Sequence, residues 1–365
     1  MNGNKNYGYP LLAAAGLASL GMAVNVSAQQ DVSPQRSASA LEEIIVTAQR
    51  RAERLEDIPM AVIALNSDFL ERSGITNIHD LGRVTPGVQI NFGGANTQTA
   101  IRGVTTLTNG TGVENNVAMY VDGFYEPNST FINADFANIA GIEVLKGPQG
   151  TLYGRNATGG AILINTLAPS DVTTGSINAR YGKFEDITLS GYVSGPISDS
   201  VRYSLAGYNR ESDGYIKLLA NPLTGEGSGD AAPVTQHSVR AKLQFDLTDS
   251  LLMDIGYNYA LVDDGRGQLF TTFEHVPSFL PGPPLRAERP GTASFNFKNE
   301  VRNMSNQGTL KFEWQTAIGT LSSRTSYTER DARQSFDFDG TFANMVYTTT
   351  EYEQDTFQHG MDFTT

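Results

Sequence analysis

The chain has 365 residues and a net charge of −13, from 26 Lys and Arg against 39 Asp and Glu. That balance excludes a nucleic-acid binder, which needs clustered basic surface to neutralise phosphate. The absence of cysteine removes disulfide frameworks, thiolate metal sites, cysteine nucleophiles and S-palmitoylation, and leaves the redox compartment open.

By length alone the chain predicts two or three domains. Residues 11–24 are an apolar run preceded by a single charge, Lys5, and Val26 and Ala28 supply small side chains at the −3 and −1 positions of a cleavage site. The run is shorter than the ~20 residues of a spanning helix, so residues 1–28 are predicted to be a secretory signal peptide. No later stretch reaches spanning-helix length, and any further membrane contact must therefore use strands. Residues 29–51 are polar, Ser-rich and aperiodic, which predicts a flexible tail, interrupted by an apolar patch at Ile44, Ile45 and Val46.

Residues 52–170 have mixed grammar. A strand is expected over 61–65, a helix over 67–72 opened by Ser67 and closed by Gly74, and a helical turn over 78–83. Strands follow over 88–92, 117–121, 142–146 and 161–165, several bounded by glycine. This is the pattern of a compact α+β domain.

From residue 171 to 365 the period becomes two. Val239, Ala241, Leu243 and Phe245 alternate with Arg240, Lys242, Gln244 and Asp246, and other segments repeat the pattern. About eight strands are legible, the last beginning near residue 355. Three predicted turns, at 197–200, 248–250 and 317–319, are short, whereas the connections over 214–235 and 263–302 are long. Short turns at one end and long loops at the other, with 24 of the 34 aromatic residues lying beyond residue 174, fit an outer-membrane barrel better than a soluble sandwich.

No catalytic constellation emerges. The glycine-rich segment 147–160 lacks the Lys-Ser/Thr of a phosphate loop and runs into a strand instead of a helix. His79, His237, His275 and His359 are isolated, without paired ligand spacing. The chain is read as a non-enzyme without cofactor or metal.

Four motifs stand out together: Glu42-Glu-Ile-Ile-Val-Thr-Ala-Gln-Arg50, Ile101-Arg-Gly103, Ala118-Met-Tyr-Val-Asp-Gly123, and the long segment from Ile142 to Ala161 that contains Lys146-Gly-Pro-Gln-Gly150 and Gly154-Arg-Asn-Ala-Thr-Gly-Gly160. In this order they resemble the TonB-dependent outer-membrane receptors. The resemblance implies an α+β plug domain followed by an antiparallel all-β transmembrane barrel, of about 22 strands in the family. It implies a TonB box at Glu43, Ile44, Ile45, Val46, Thr47 and Ala48. Arg102, Gly103, Tyr120, Asp122, Gly123, Lys146, Gly147, Gly150, Gly154, Arg155, Gly159 and Gly160 become structural or gating elements of the plug. It also implies location in a Gram-negative outer membrane as a monomer among lipid and lipopolysaccharide. The partners are then TonB with ExbB–ExbD, and a small-molecule ligand of the iron-chelate class. The box residues have a rationale of their own, because β-prone side chains in a flexible tail can add a strand to a partner. Arg102 and Arg155 are expected to pair with lumen-facing barrel acids.

An eight-stranded barrel is filled by its own side chains and has no room for a plug. The expectation is therefore a chain lacking further strands, with an open sheet edge. The leading function is active uptake of a ferric siderophore or related iron complex, with cobalamin, an oligosaccharide or an aromatic compound as alternative substrates. A signalling receptor would need a folded domain between signal peptide and box, where only about fifteen residues lie, fewer than an independent domain requires. A soluble exported binding protein is the third reading.

Overall fold

The computed structural model describes residues 45–48, 50–51, 53–75, 77–93, 96–106, 114–127, 138–221, 224–225, 229–231, 233–265, 292–294, 299–337 and 347–365. The signal peptide, Glu43, Ile44 and His275 lie outside the described residues.

The first part opens with β1 (Ile45–Val46) antiparallel to β2 (Glu53–Arg54), followed by β3 (Val62–Asn66), α1 (Ser67–Arg72), α2 (Leu81–Val84) and the hairpin β4 (Val88–Gly93) and β5 (Asn96–Ile101). Then come β6 (Val117–Val121), β7 (Phe124–Tyr125), β8 (Ile139–Lys146), α3 (Gly150–Tyr153) and β9 (Gly160–Thr166). A five-stranded sheet has the order β3-β8-β9-β6-β7, with β6 parallel to β9. α1 spans the expected residues, but its cap is Asn66, whose side chain accepts the Phe69 N–H at 2.9 Å; Ser67 is already helical. The glycine-rich segment runs into a strand, β9, as expected. It holds the short helix α3, which ends at Gly154 in the left-handed region with φ 73°.

β6 and β9 are buried on both faces, and so read as continuous apolar runs. Val117, Met119, Ile162 and Ile164 pack beneath Leu70, Ile78 and Leu81 on the helical side. Ala118, Tyr120, Ala161 and Leu163 face Val46, Ala48, Ile58 and Tyr153 on the other. Each large apolar side chain buried this way stabilises the domain by ~1.5–3 kcal/mol.

The second part is an antiparallel meander of eight strands: β10 (Thr174–Tyr181), β11 (Ile187–Ser198), β12 (Val201–Ser212), β15 (Val234–Thr248), β16 (Leu251–Asp264), β18 (Glu300–Thr316), β19 (Gly319–Asp337) and β20 (Tyr347–Thr364). All three predicted short turns occur, and they lie at the same end of the sheet. In the long connections, β13 (Ile216–Leu218), β14 (Gly229–Ala231) and β17 (Thr292–Ala293) form a separate three-stranded sheet, so these segments are not plain loops. β10 and β20 stand at the two ends of the eight-stranded order.

This sheet is inverted relative to a water-soluble one. Ile177 is 82% exposed and Phe357 69%, and Leu189, Leu205, Leu243, Ile255 and Trp314 point outward with them. The buried face is polar: Ser194, Ser204, Gln236, Ser238, Asn303, Thr328 and Arg330. Such an apolar exterior is stable only against an apolar medium, which argues against the soluble reading.

Candidate functional site

Three groups of contacts join the apolar patch, the compact domain and the inverted sheet. The first docks the patch. Ile45 and Val46 pair with Arg54 and Glu53, and Val46 and Ala48 are buried. Glu143 Oε1 accepts both the Thr47 backbone N–H at 2.8 Å and the Thr47 hydroxyl at 2.9 Å, and the Tyr153 hydroxyl donates to the Ala48 carbonyl at 3.0 Å. The flexible tail expected over 29–51 is therefore corrected for 45–48, which are held as part of the fold. The physical reason is that Val46 and Ala48 find an apolar socket between Tyr120, Leu145 and Tyr153. Burial pushes the Glu143 carboxyl up, against the hydrogen bonds from Thr47 and Asn165, and burial likewise pushes the Tyr153 phenol up.

The second group is the β6–β7 hairpin. Asp122 and Gly123 both have positive φ, 50° and 83°, the requirement of a two-residue type I′ turn. The turn aims Asp122 at the sheet, where its carboxylate takes Lys242 Nζ at 2.8 Å and the Thr166 N–H and hydroxyl at 2.8 Å each. Burial raises this carboxyl, but Lys242, Lys311 and Arg240 prevail and hold it well below the usual carboxylate range. A Cβ at position 123 would stand 3.3 Å from the Arg324 side chain, so the glycine is also a matter of clearance. Next along the chain, Gln358 on β20 exchanges two hydrogen bonds with the Tyr125 backbone, and Arg330 Nη2 reaches both oxygens of Glu126 at 2.7 Å.

The third group ties the patch to the sheet. Arg50 lies over the Tyr153 ring, donates to the Leu152 carbonyl at 2.9 Å and pairs with Asp362 of β20 at 3.3 Å. Asp362 also holds Arg324.

A compact α+β body is thus ion-paired onto the polar concave face of an inverted antiparallel sheet, with an apolar strand docked on its underside. A family model described as the TonB-dependent Receptor Plug Domain matches residues 54–161. The chain carries this plug, a domain of TonB-dependent receptors. The pesticin receptor of Yersinia pestis is 30% identical over 241 residues, covering 65% of this chain and 34% of that protein. The rhizobactin receptor of Rhizobium meliloti is 29% identical over 260 residues, covering 68% of this chain and 32% of that protein. The chain therefore spans about a third of the length of these relatives. Among solved structures, the ferric yersiniabactin uptake receptor FyuA of Yersinia pestis superposes with a TM-score of 0.68 at 20% identity, over 84% of this chain and 46% of that one. This likeness extends the shared fold into the sheet.

The remaining plug-motif residues act inside the plug. Arg102, at φ 51°, donates its backbone N–H to the Gly87 carbonyl at 2.8 Å and turns the chain with Gly103. Lys146 Nζ donates to the Pro86 carbonyl at 2.6 Å, and burial with the neighbouring Arg102 lowers it. Arg155 pairs with Glu114 of the plug at 3.1 Å. The expected pairing of Arg102 and Arg155 with barrel acids is corrected: among the described residues neither meets one. At the hairpin the charges cross the other way, from plug acids Asp122 and Glu126 to barrel bases Lys242 and Arg330, because the hairpin turn, not the turns of Arg102 and Arg155, faces the wall; the base that does meet a barrel acid is Arg50, on Asp362. Gly147 and Gly154 take positive φ, and Gly150 opens α3. Gly159 clears Val104, and Gly160 is the tightest point: a Cβ there would lie 2.2 Å from the Leu145 carbonyl oxygen.

Glu126, Glu143, Tyr153, Lys242 and Arg330 were not singled out by sequence. Asp122-Gly123 between two apolar pairs was a readable hairpin signal, and Lys242 sat at an inward position of an alternating strand. The others join across more than ninety residues and left no local trace.

Proposed function

We propose that this chain forms the plug and part of the barrel of an outer-membrane transporter that takes up a ferric siderophore or related iron complex. The residues Glu43, Ile44, Ile45, Val46, Thr47 and Ala48 act as its TonB box. The observation that carries the reading is the pairing of a plug with the polar face of an inverted sheet while an apolar strand rests on the plug. β1 is two residues long, paired with β2 and followed by Thr47 and Ala48, which Glu143 and Tyr153 hold; leaving this seat, it adds to a strand of TonB. ExbB–ExbD then supplies energy from the inner membrane. Barrel strands contact outer-membrane lipid and lipopolysaccharide through the aromatic and aliphatic exterior. The names of the relatives, receptors for rhizobactin and ferric yersiniabactin among them, support an iron chelate as ligand.

Deleting residues 44–47 in cells producing the receptor is expected to abolish energised uptake of a radiolabelled ferric siderophore and leave surface binding intact. Unchanged uptake would overturn the box assignment. Uptake of cobalamin or an oligosaccharide, with none for any ferric chelate, would overturn the substrate assignment.

A further inference from the structure

The seat of the apolar strand contains a carboxyl group in an apolar place. Glu143 on β8 is buried and stands directly across from Ala64 on β3 and Leu163 on β9, members of the cluster that seats Val46 and Ala48. Its hydrogen bonds fall on one oxygen. Oε1 accepts the Thr47 N–H at 2.8 Å, the Thr47 hydroxyl at 2.9 Å and Asn165 Nδ2 at 3.2 Å, whereas Oε2 is buried without a hydrogen-bond partner.

Among the described residues no base is paired with this carboxyl. In the docked tail, Arg50 is engaged by the Tyr153 ring, the Leu152 carbonyl and Asp362, and Arg51 by Glu53; on β2, Arg54 pairs with Glu56. β3 and β9 meet Glu143 with Ala64, Leu163 and the neutral Asn165 amide. α3 brings the Tyr153 phenol, raised by burial and then by the Glu143 charge. On β8 itself, Lys146 reaches the Pro86 carbonyl instead. A buried carboxylate with one oxygen unsatisfied and no counter-charge destabilises the docked state, and water relieves that penalty once the tail lifts away. Burial outweighs the hydrogen bonds here and pushes the Glu143 carboxyl up, in agreement with the geometry.

We propose that Glu143 is the release element of the docked strand: ionised, it positions Thr47 while keeping the seat metastable, so that residues 45–48 stay within reach of a partner. That the partner is TonB rests on the box reading above; the metastable seat does not. A proton on Oε2 removes the buried charge and leaves Oε1 accepting from Thr47. Docking is therefore tightest below the ordinary value of 4.5 and loosens as pH rises through the raised value. A neutral amide at this position keeps the acceptor without the charge, and alanine keeps neither. The seat is tightest with Gln, intermediate with Glu and weakest with Ala.

The absence of native cysteine allows a direct test on the purified chain in detergent. Val46 is buried when docked, so a Val46→Cys reporter reacts with a neutral thiol reagent in proportion to the undocked population. At neutral pH, Glu143→Gln is expected to slow labelling about tenfold and Glu143→Ala to speed it. The difference between Gln and native should close as pH falls toward 4.5. Labelling of the Gln variant as fast as native at neutral pH, or a ratio that does not move with pH, overturns the release element. Circular dichroism checks folding. If the Gln variant does not fold, the native pH profile, corrected for thiolate with a free peptide of residues 43–50, carries the test, and a flat profile overturns the proposal. Capture is read separately with a soluble fragment of TonB, which should bind the Gln variant more weakly than native. Binding to no variant, with the labelling order intact, overturns the box assignment and leaves the release element standing.

Discussion

The plug and the sheet bury opposite kinds of residue. In the plug, Ile142, Val144, Ile162 and Ile164 are inside. In the sheet, serines, glutamines, Asn303 and Arg330 are inside, while leucines, tyrosines and Phe357 are outside. The contrast shows that the two parts meet different solvents. The plug is folded as though in water, by withdrawing apolar area. The sheet is folded for lipid on one face, and on its polar face Lys242 and Arg330 meet acids of the plug.

The contact between the two halves is where this contrast breaks most sharply. Asp122→Ala leaves Lys242 without its carboxylate in a buried setting and is expected to destabilise the plug–barrel contact by ~3–5 kcal/mol, measured by urea unfolding followed through plug tyrosine fluorescence. The pH dependence follows from the lowered carboxyl. Its stabilisation is present above the ordinary value of 3.8 and is lost as pH falls through the depressed folded value. Asp122→Asn should therefore remove part of the acid sensitivity of unfolding, and an unaltered acid transition would show that Asp122 is not its source.

Inside the plug, Ile162→Ala is expected to cost ~2–5 kcal/mol by opening a cavity against Leu70 and Ile78. The equivalent change at outward Ile177 should leave stability in detergent nearly unchanged, and equal losses at both sites would erase the distinction drawn here. Leu243→Arg on the outward face is expected to cost ~2–4 kcal/mol in a bilayer, falling toward the interface, and little in urea-extracted material. Refolding yield into vesicles measures it.

The smallest effect is at the docked box. Glu143→Ala removes the acceptor for the Thr47 N–H and hydroxyl and should weaken docking by ~1–3 kcal/mol, seen as faster hydrogen exchange at the Thr47 amide. Glu143 titrates opposite to Asp122. Its folded value is raised, so its contribution to plug stability is full below the ordinary value of 4.5 and is lost as pH rises through the raised value. Glu143→Gln should flatten that dependence.

Much of this was legible locally. α1, β6 and the three short turns fall where Gly and the change of period place them, because those signals act within a few residues, although the cap of α1 is Asn66 and not the expected Ser67. The docking of Val46 and Ala48 was not legible, since a β-prone patch in a polar tail has the same sequence whether it is free or seated. Nor was the direction of the charge pairing: Arg102 and Arg155 look as available as Asp122 until the turns that carry them are aimed.

Composition and spacing by themselves determined that the chain holds a mixed domain followed by an alternating sheet, and that the four motifs occur in one order. Periodicity carries this because strand and helix geometry are local. Only the tertiary structure decided which face of the sheet is buried and which acids meet which bases. Those are sums over contacts distant in sequence, and alternation is unchanged when its two faces are exchanged.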